Sequence, residues 1–322
     1  MNSQSKTPVS FEAVEKVVAK HLGTSQKITT FEELKDGAFN AAYYLKLEDG
    51  FQCVLKVAPK PENPILRYEK DIMLAEVDTM RLIKIHTEMP VPGIIFFDNS
   101  HSILPSSYFG MDFIDGTPLN KLREKLTQAE QSKIDQSCGR YLHQMNSITG
   151  KQFGPFAHPE EAGANWSAVF GKMLDNVMQD SLDAGVNLPI SRSTINQIIL
   201  QHTSTLDEVK VPSLIHWDLW DGNIFINPES NTINGIIDFE RALWADPLME
   251  VNFETARNNI AFLKGYGFDL PFTPSQQVRR TLYNLYLFLI MIIECSYRGY
   301  STDDQEIWAR KKLAEEMIKL GY

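Results

Sequence analysis

Residues 214–247 read LIHWDLWDGNIFINPESNTINGIIDFERALWADP, a stretch that sets oxygen ligands at the ends of short apolar runs. Asp218 and Asn223 lie five residues apart in a His-x-Asp-x-x-x-x-Asn pattern that begins at His216. An aspartate so placed can take a proton from a hydroxyl, and an asparagine offers a neutral oxygen to a hard cation. Asp238 follows Asn223 by fifteen residues and closes the apolar run NGIID. The intervening INPESNTIN suits a hairpin turn, which would return Asp238 beside Asn223. A carboxylate next to a carboxamide makes a partial Mg²⁺ site, because that ion takes oxygen ligands and fills its shell with phosphate and water. Taken singly, each residue serves equally well in a turn or cap. Two independently read patterns in register, HxDxxxxN and a strand-ending Ile-Asp-Phe, point to phosphoryl transfer. His216 is expected to be structural, holding the loop through backbone hydrogen bonds.

Such chemistry needs a cation on the phosphates, and the front of the chain must supply it. Lys56 lies in the alternating segment FQCVLKV, which pairs with AAYYLKLE across Glu48-Asp49-Gly50. Two readings stay open for it, a solvated outer-face lysine or a phosphate clamp. The following helix, expected over residues 68–87, carries Glu69, Asp71, Glu76 and Asp78. Glu76, flanked by Met73, Leu74, Val77 and Met80, is the one best placed to hold an ammonium group. Asp36-Gly37-Ala38-Phe39-Asn40, between the first two strands, is either a nucleotide loop built around Gly37 and Asn40 or a simple turn. The chain contains no GxGxxG or GxxxxGK[ST] pattern.

At 322 residues, 43% hydrophobic and 22% charged, the chain can fill two cores. A net charge of −10 argues against nonspecific nucleic-acid binding and against an anionic membrane surface. Three scattered cysteines without CxxC spacing fit neither a disulfide framework nor a zinc site, and suit a reducing cytosol. The opening MNSQSKTPVSFEAVEK has no apolar leader segment, so no signal peptide is expected. The longest apolar run, Leu285 to Ile293, falls well short of the about 20 residues a bilayer span needs.

Hydrophobic spacing predicts a helix over 11–22, the two strands around Gly50, the helix ending before Pro90-Val91-Pro92, and strands in GIIFFD and SSYFGMDFIDG. Beyond Leu119 the pattern turns helical: QSKIDQSCGRYLHQMNSI, NWSAVFGKMLDNVMQDSLDAG, one helix through SRSTINQIILQHTSTLDEV, then ETARNNIAFLKGY, QQVRRTLYNLYLFLIMIIECSYRGY and DQEIWARKKLAEEMIKL. The hairpin around Asn223 is expected to supply the only strands of that half. The join is expected near Asp112–Gly116.

In this order Lys56, a helix acid, MDFIDG, HxDxxxxN and IDFE resemble the aminoglycoside phosphotransferase and choline kinase-like superfamily. LHQMNSITGKQFG, Pro90-Val91-Pro92 and Asp246-Pro247 agree, and the resemblance runs from about Ile28 to Pro247. It implies an α+β, two-lobed protein-kinase-like fold: a small antiparallel-sheet lobe over 1–112 and a larger, mostly helical lobe over 113–322. It implies an ATP- and Mg²⁺-dependent kinase with Asp218 as base, Asn223 and Asp238 as metal ligands, and Lys56, oriented by Glu76, on the nucleotide phosphates. The backbone of Asp112, Phe113 and Ile114 would hold the adenine. Two departures matter. Trp217 stands where the family commonly has Gly, and Trp220 stands where protein kinases usually carry Lys, which favours a small-molecule acceptor. Both indoles either line an acceptor pocket or pack the loop. Asp221, Glu240, Glu250 and Glu294 are acids that would suit a cationic acceptor such as an amino-sugar or amino alcohol; sugars and antibiotics also fit. The competing reading is a nucleotide-binding pseudokinase acting through protein partners.

Overall fold

The computed structural model describes residues 6–37, 39–253, 259–300 and 302–322. Ala38 of the expected nucleotide loop, residues 254–258 of the expected ETARNNIAFLKGY helix and the first five residues of the leader reading lie outside the described residues. The chain divides into two compact units. The first comprises Met1–Ile65, Pro92–Ile114 and Tyr297–Ser301; the second comprises Leu66–Val91, Asp115–Ser296 and Thr302–Tyr322.

The first unit is built on an antiparallel sheet of β1 (Ile28–Leu34), β2 (Ala41–Leu47), β3 (Gln52–Val57), β4 (Ile94–Asp98) and β5 (Tyr108–Asp112), in the order β1-β2-β3-β5-β4. In β2 the alternation predicted from sequence sends Ala41, Tyr43, Leu45 and Leu47 inward. β3 is central and buried along nearly its whole length, so the alternation expected of FQCVLKV does not appear in its burial. Helix α1 (Phe11–His21) starts where Ser10 Oγ accepts the Ala13 N–H. Its Val14, Val17 and Val18 join Leu45, Leu55, Val57 and Tyr108 in one core. Buried Asp98 accepts hydrogen bonds from Lys20 Nζ, Tyr108 OH (2.7 Å) and both the N–H and hydroxyl of Ser100. That fully partnered carboxylate pins the helix to the end of β4.

The second unit is mostly helical: α2 (Ile72–His86), α3 (Leu119–Leu122), α4 (Gln128–Asn146), α5 (Trp166–Asp183), α6 (Arg192–Gln201), α7 (Thr203–Leu206), α8 (Ile260–Tyr266), α9 (Pro274–Arg298, whose last residues fall in the first unit) and α10 (Asp304–Lys319). The single helix expected over 191–209 is interrupted at His202, where the polar, β-branched run HTST gives weak helical support. Two small sheets replace the lone hairpin expected here. One orders β10 (Ile233–Ile236), β9 (Ile224–Ile226) and β6 (Thr117–Pro118); the other orders β7 (Gly154–Pro155), β11 (Leu243–Ala245) and β8 (Ser213–Ile215). Strands of two or three residues are too short to show a period, which is why the sequence hid them. Helices α4 and α8 meet through glycine: a Cβ on Gly139 would stand 2.2 Å from Phe262 O, and one on Gly265 would stand 2.1 Å from Gln136 O. α9 buries Leu282, Leu285, Phe288, Leu289 and Ile292 on successive turns, the reading expected of a core helix. Among the described residues no helix is long and apolar enough to cross a membrane.

Candidate active site

The loop after β8 is held from below by one carboxylate. Glu250 is 1% exposed; its Oε1 accepts the His216 N–H at 2.8 Å and its Oε2 accepts the Trp217 N–H at 2.8 Å. Asn146 Nδ2 donates to the same carboxylate at 3.2 Å and to Leu214 O at 2.8 Å, and Tyr266 OH donates to Asn146 Oδ1. Burial pushes the Glu250 carboxyl up to about 7 against these N–H donors, which favour the ionised form. Sequence reasoning had grouped Glu250 with acids for a cationic acceptor. The structure corrects this: the side chain is enclosed and fixes the loop backbone.

His216 ties that loop to the strand carrying Asp238. An amide N–H only donates and a carbonyl only accepts, so the ring roles are set by its neighbours. Nδ1 accepts from Asp218 N–H (3.2 Å), and Nε2 donates to Ile237 O (3.0 Å). Burial drives the imidazole down to about 4, so it is neutral. Ile237 N–H in turn donates to Asn223 O at 3.1 Å. The N–H and the C=O of Ile237 are thereby both bonded to the loop that bears Asp218 and Asn223, and the hairpin β9–β10 does return Asp238 to it. Asn223 Nδ2 donates to Asp218 O at 2.9 Å, which leaves its Oδ1 as the oxygen available to a cation. Asp238 adopts a left-handed backbone, φ 67°, a conformation aspartate tolerates better than most residues.

Glu76, Asp238 and Glu240 each present a carboxylate oxygen, all three within 4.8 Å of one another. With the Asn223 carboxamide on the adjoining loop, the donors are all oxygen, the set that suits Mg²⁺. Glu76 itself is fully buried on α2.

On the other side of Asp218 stands Arg241, a residue absent from the sequence-based site. Its Nε is 4.0 Å from Asp218 Oδ2, its NH2 donates to Glu294 at 3.2 Å, and its guanidinium lies over the rings of Tyr68 (5.6 Å) and Trp217 (5.8 Å). Gln305 Nε2 donates to the second Glu294 oxygen at 2.8 Å. Glu294 is therefore already engaged. Asp221 is likewise paired with Arg123, which also binds Asp135 at 3.0 Å. Trp217 is 3% exposed, stacks on Tyr286 at 5.2 Å and has φ 62°, in the left-handed region where glycine is at ease. Trp220 is 43% exposed and its indole lies across Gly222, where a Cβ would meet the ring at 2.3 Å. Of the two indoles, only Trp220 presents a face to solvent.

In the first unit Lys56 is 5% exposed, with Nζ 5.8 Å from the centre of the Phe109 ring. Burial rules out the solvated outer-face reading. Asn40 is buried, and a Cβ on Gly37 would touch only Asn40 O at 3.7 Å, so this glycine leaves open space beside the loop. Asp112 ends β5 with its N–H on Gly93 O (2.9 Å) and its Oδ2 accepting Gly93 N–H (2.8 Å), while Phe113 packs on Tyr44 at 4.9 Å.

With this geometry in place, likeness to known proteins decides the family. The profile of the APH phosphotransferase enzyme family matches residues 30–263. The chain belongs to the phosphotransferase enzyme family. A Vibrio cholerae serotype O1 protein named probable ketoamine kinase is 24% identical to this phosphotransferase over 224 residues, covering 66% of this chain and 71% of the relative. A Thermobifida fusca structure provisionally assigned as a fructosamine-3-kinase shares 16% identity at TM-score 0.68, covering 95% of this chain and 100% of that one. The gentamicin complex of APH(2")-IIa shares 15% identity at TM-score 0.65, covering 96% and 97%. The α+β, protein-kinase-like fold expected from sequence is thus the fold of the chain, and its enzyme class is that of the small-molecule kinases.

Proposed function

We propose that this phosphotransferase moves the γ-phosphate of ATP, with Mg²⁺, to a hydroxyl of a small hydroxylated amine. The observation that carries the reading is the pair of hydrogen bonds made by the Ile237 N–H and C=O, which lock the loop of Asp218 and Asn223 to Asp238. Asp218 accepts the proton of the acceptor hydroxyl. Its side chain is 29% exposed, and its backbone N–H and C=O are held by His216 and Asn223, so its place in the loop is fixed while the carboxylate remains reachable. Asn223 and Asp238 would hold Mg²⁺, which when bound neutralises charge on the transferred phosphoryl group. Lys56, buried on β3, serves the nucleotide phosphates, and the Asp112–Ile114 backbone serves the base.

The name of the Vibrio cholerae relative supports a ketoamine among hydroxylated amines. Asp221, Glu250 and Glu294 are engaged elsewhere and Glu240 lies in the carboxylate cluster with Asp238, so the exposed Trp220 face is the acceptor contact that we retain. The test is ADP release with pooled ketoamines, amino-sugars, amino alcohols and sugars. Turnover that needs ATP, Mg²⁺ and one of the amine pools supports the reading; turnover confined to amine-free sugars overturns its acceptor part.

A further inference from the structure

Phe39 sits at the tip of the loop between β1 and β2, where a side chain would ordinarily face solvent, yet it is only 7% exposed. What covers it comes from 259 positions further along the chain: the guanidinium of Arg298, in the last turn of α9, lies 4.7 Å from the centre of the Phe39 ring. Arg298 is itself 2% exposed and is among the largest fully enclosed side chains of the molecule. Both residues fall in the first unit, with Lys56 and the Asp112–Ile114 segment. A guanidinium desolvated against an aromatic face is held more strongly than one at an exposed site. An arginine fork is also more rigid than a lysine stem.

We infer that Arg298 is a positioning residue for nucleotide binding: by clamping the Phe39 ring it fixes the backbone of Phe39 and Asn40 for contact with the nucleotide phosphates. This rests on the nucleotide reading given above. Loops that cradle phosphates bind through backbone N–H groups, and their ordering is otherwise an entropic loss at the moment of binding. Arg298 prepays that ordering through a ring rather than by touching the ligand. The adjoining Asn40 is buried and Gly37 leaves its side of the loop open, so the clamp secures one flank of the loop and leaves the other accessible.

The test is calorimetric titration of the full chain with Mg-AMP-PNP, paired with steady-state kinetics. Arg298→Gln and Phe39→Leu should each weaken nucleotide binding by about three- to thirtyfold, the upper end being the full loss of a desolvated cation–π contact, with the acceptor KM at saturating ATP unchanged. Phe39→Tyr should restore most of the affinity, and Arg298→Lys only part of it, because a lysine stem lacks the rigid planar fork. The double variant should be no weaker than either single one, because both remove the same contact. Phe39→Leu leaves α9 untouched and so tests the idea even if Arg298→Gln folds poorly. Wild-type binding with unchanged affinity in Phe39→Leu, or additive losses in the double variant, overturns the clamp alone. Absence of binding by the wild type overturns the nucleotide reading and the clamp with it.

Discussion

His216 Nε2 donates to Ile237 O at 3.0 Å, and this one bond joins the residue two places before Asp218 to the residue just before Asp238. The neutral imidazole is the only ring form that can also accept the Asp218 N–H at Nδ1. The loop of Asp218 and the strand end of Asp238, which we propose as base and metal ligand, are thus aligned by a neutral ring. Replacing His216 by Ala should lower kcat at least tenfold while leaving the KM for ATP within about twofold, since the loss is of alignment and not of ligand contact.

Asp218→Asn should reduce kcat by about 10²–10⁴-fold, the usual contribution of a positioned base, with nucleotide affinity retained. Single-turnover rates and Mg-AMP-PNP titration on the same preparation separate the two effects. Wild-type turnover in this variant would remove Asp218 from the role of base.

Stability should vary with pH through two touching groups of opposite sign. His216 titrates near 4 in the fold against 6.5 when unfolded, so its contribution is complete above 6.5 and is lost as pH falls through 4. Glu250 titrates near 7 against 4.5, so its contribution is complete below 4.5 and is lost as pH rises through 7. Each is worth at most about 3 kcal/mol, from 1.36 kcal/mol per pKa unit. Urea midpoints measured from pH 7 to pH 4.5 should show the wild type gaining on Glu250→Gln. Over pH 6.5 to 4 it should lose ground to His216→Gln. A constant difference across pH would contradict either assignment.

Trp217→Gly should relieve the left-handed backbone by about 1–2 kcal/mol but remove a packed indole worth about 3–5 kcal/mol, leaving a net loss. Thermal unfolding reads the outcome, and a stabilised variant would show that the stacking on Tyr286 contributes little. The common family residue would here be the worse one.

Asp221→Asn should lower the melting temperature, because Arg123 loses one of its two carboxylates, while the acceptor KM stays unchanged. A raised acceptor KM at unchanged melting temperature would return Asp221 to the acceptor site.

How much of this was legible in the sequence depends on range. The order Asp218, Asn223, Asp238 and the hairpin between the last two are local facts, set by a short span with turn residues in its middle, and they were readable. So was the alternation of β2, because one face is buried and the other is not. The engagement of Glu250 was hidden: a carboxylate has the same sequence signature whether it meets backbone N–H groups or a ligand, and its partners lie 33 and 34 residues away. Arg241 was passed over for the same reason, since its partners Tyr68, Trp217 and Glu294 come from three distant segments. The break at His202 and the two-residue strands fall below the length at which periodicity exists.

The indole of Trp220, folded over Gly222 and 43% exposed, makes the loop of Asp218 and Asn223 optically visible. Trp166 and Trp217 are enclosed and insensitive to added quenchers, so with the half-buried Trp244 and the exposed Trp308 both replaced by Phe the quencher-accessible emission would come chiefly from a ring three residues from Asn223. Arrival of a metal ion or acceptor could then be followed as a change in iodide quenching, on the stopped-flow timescale and without any label.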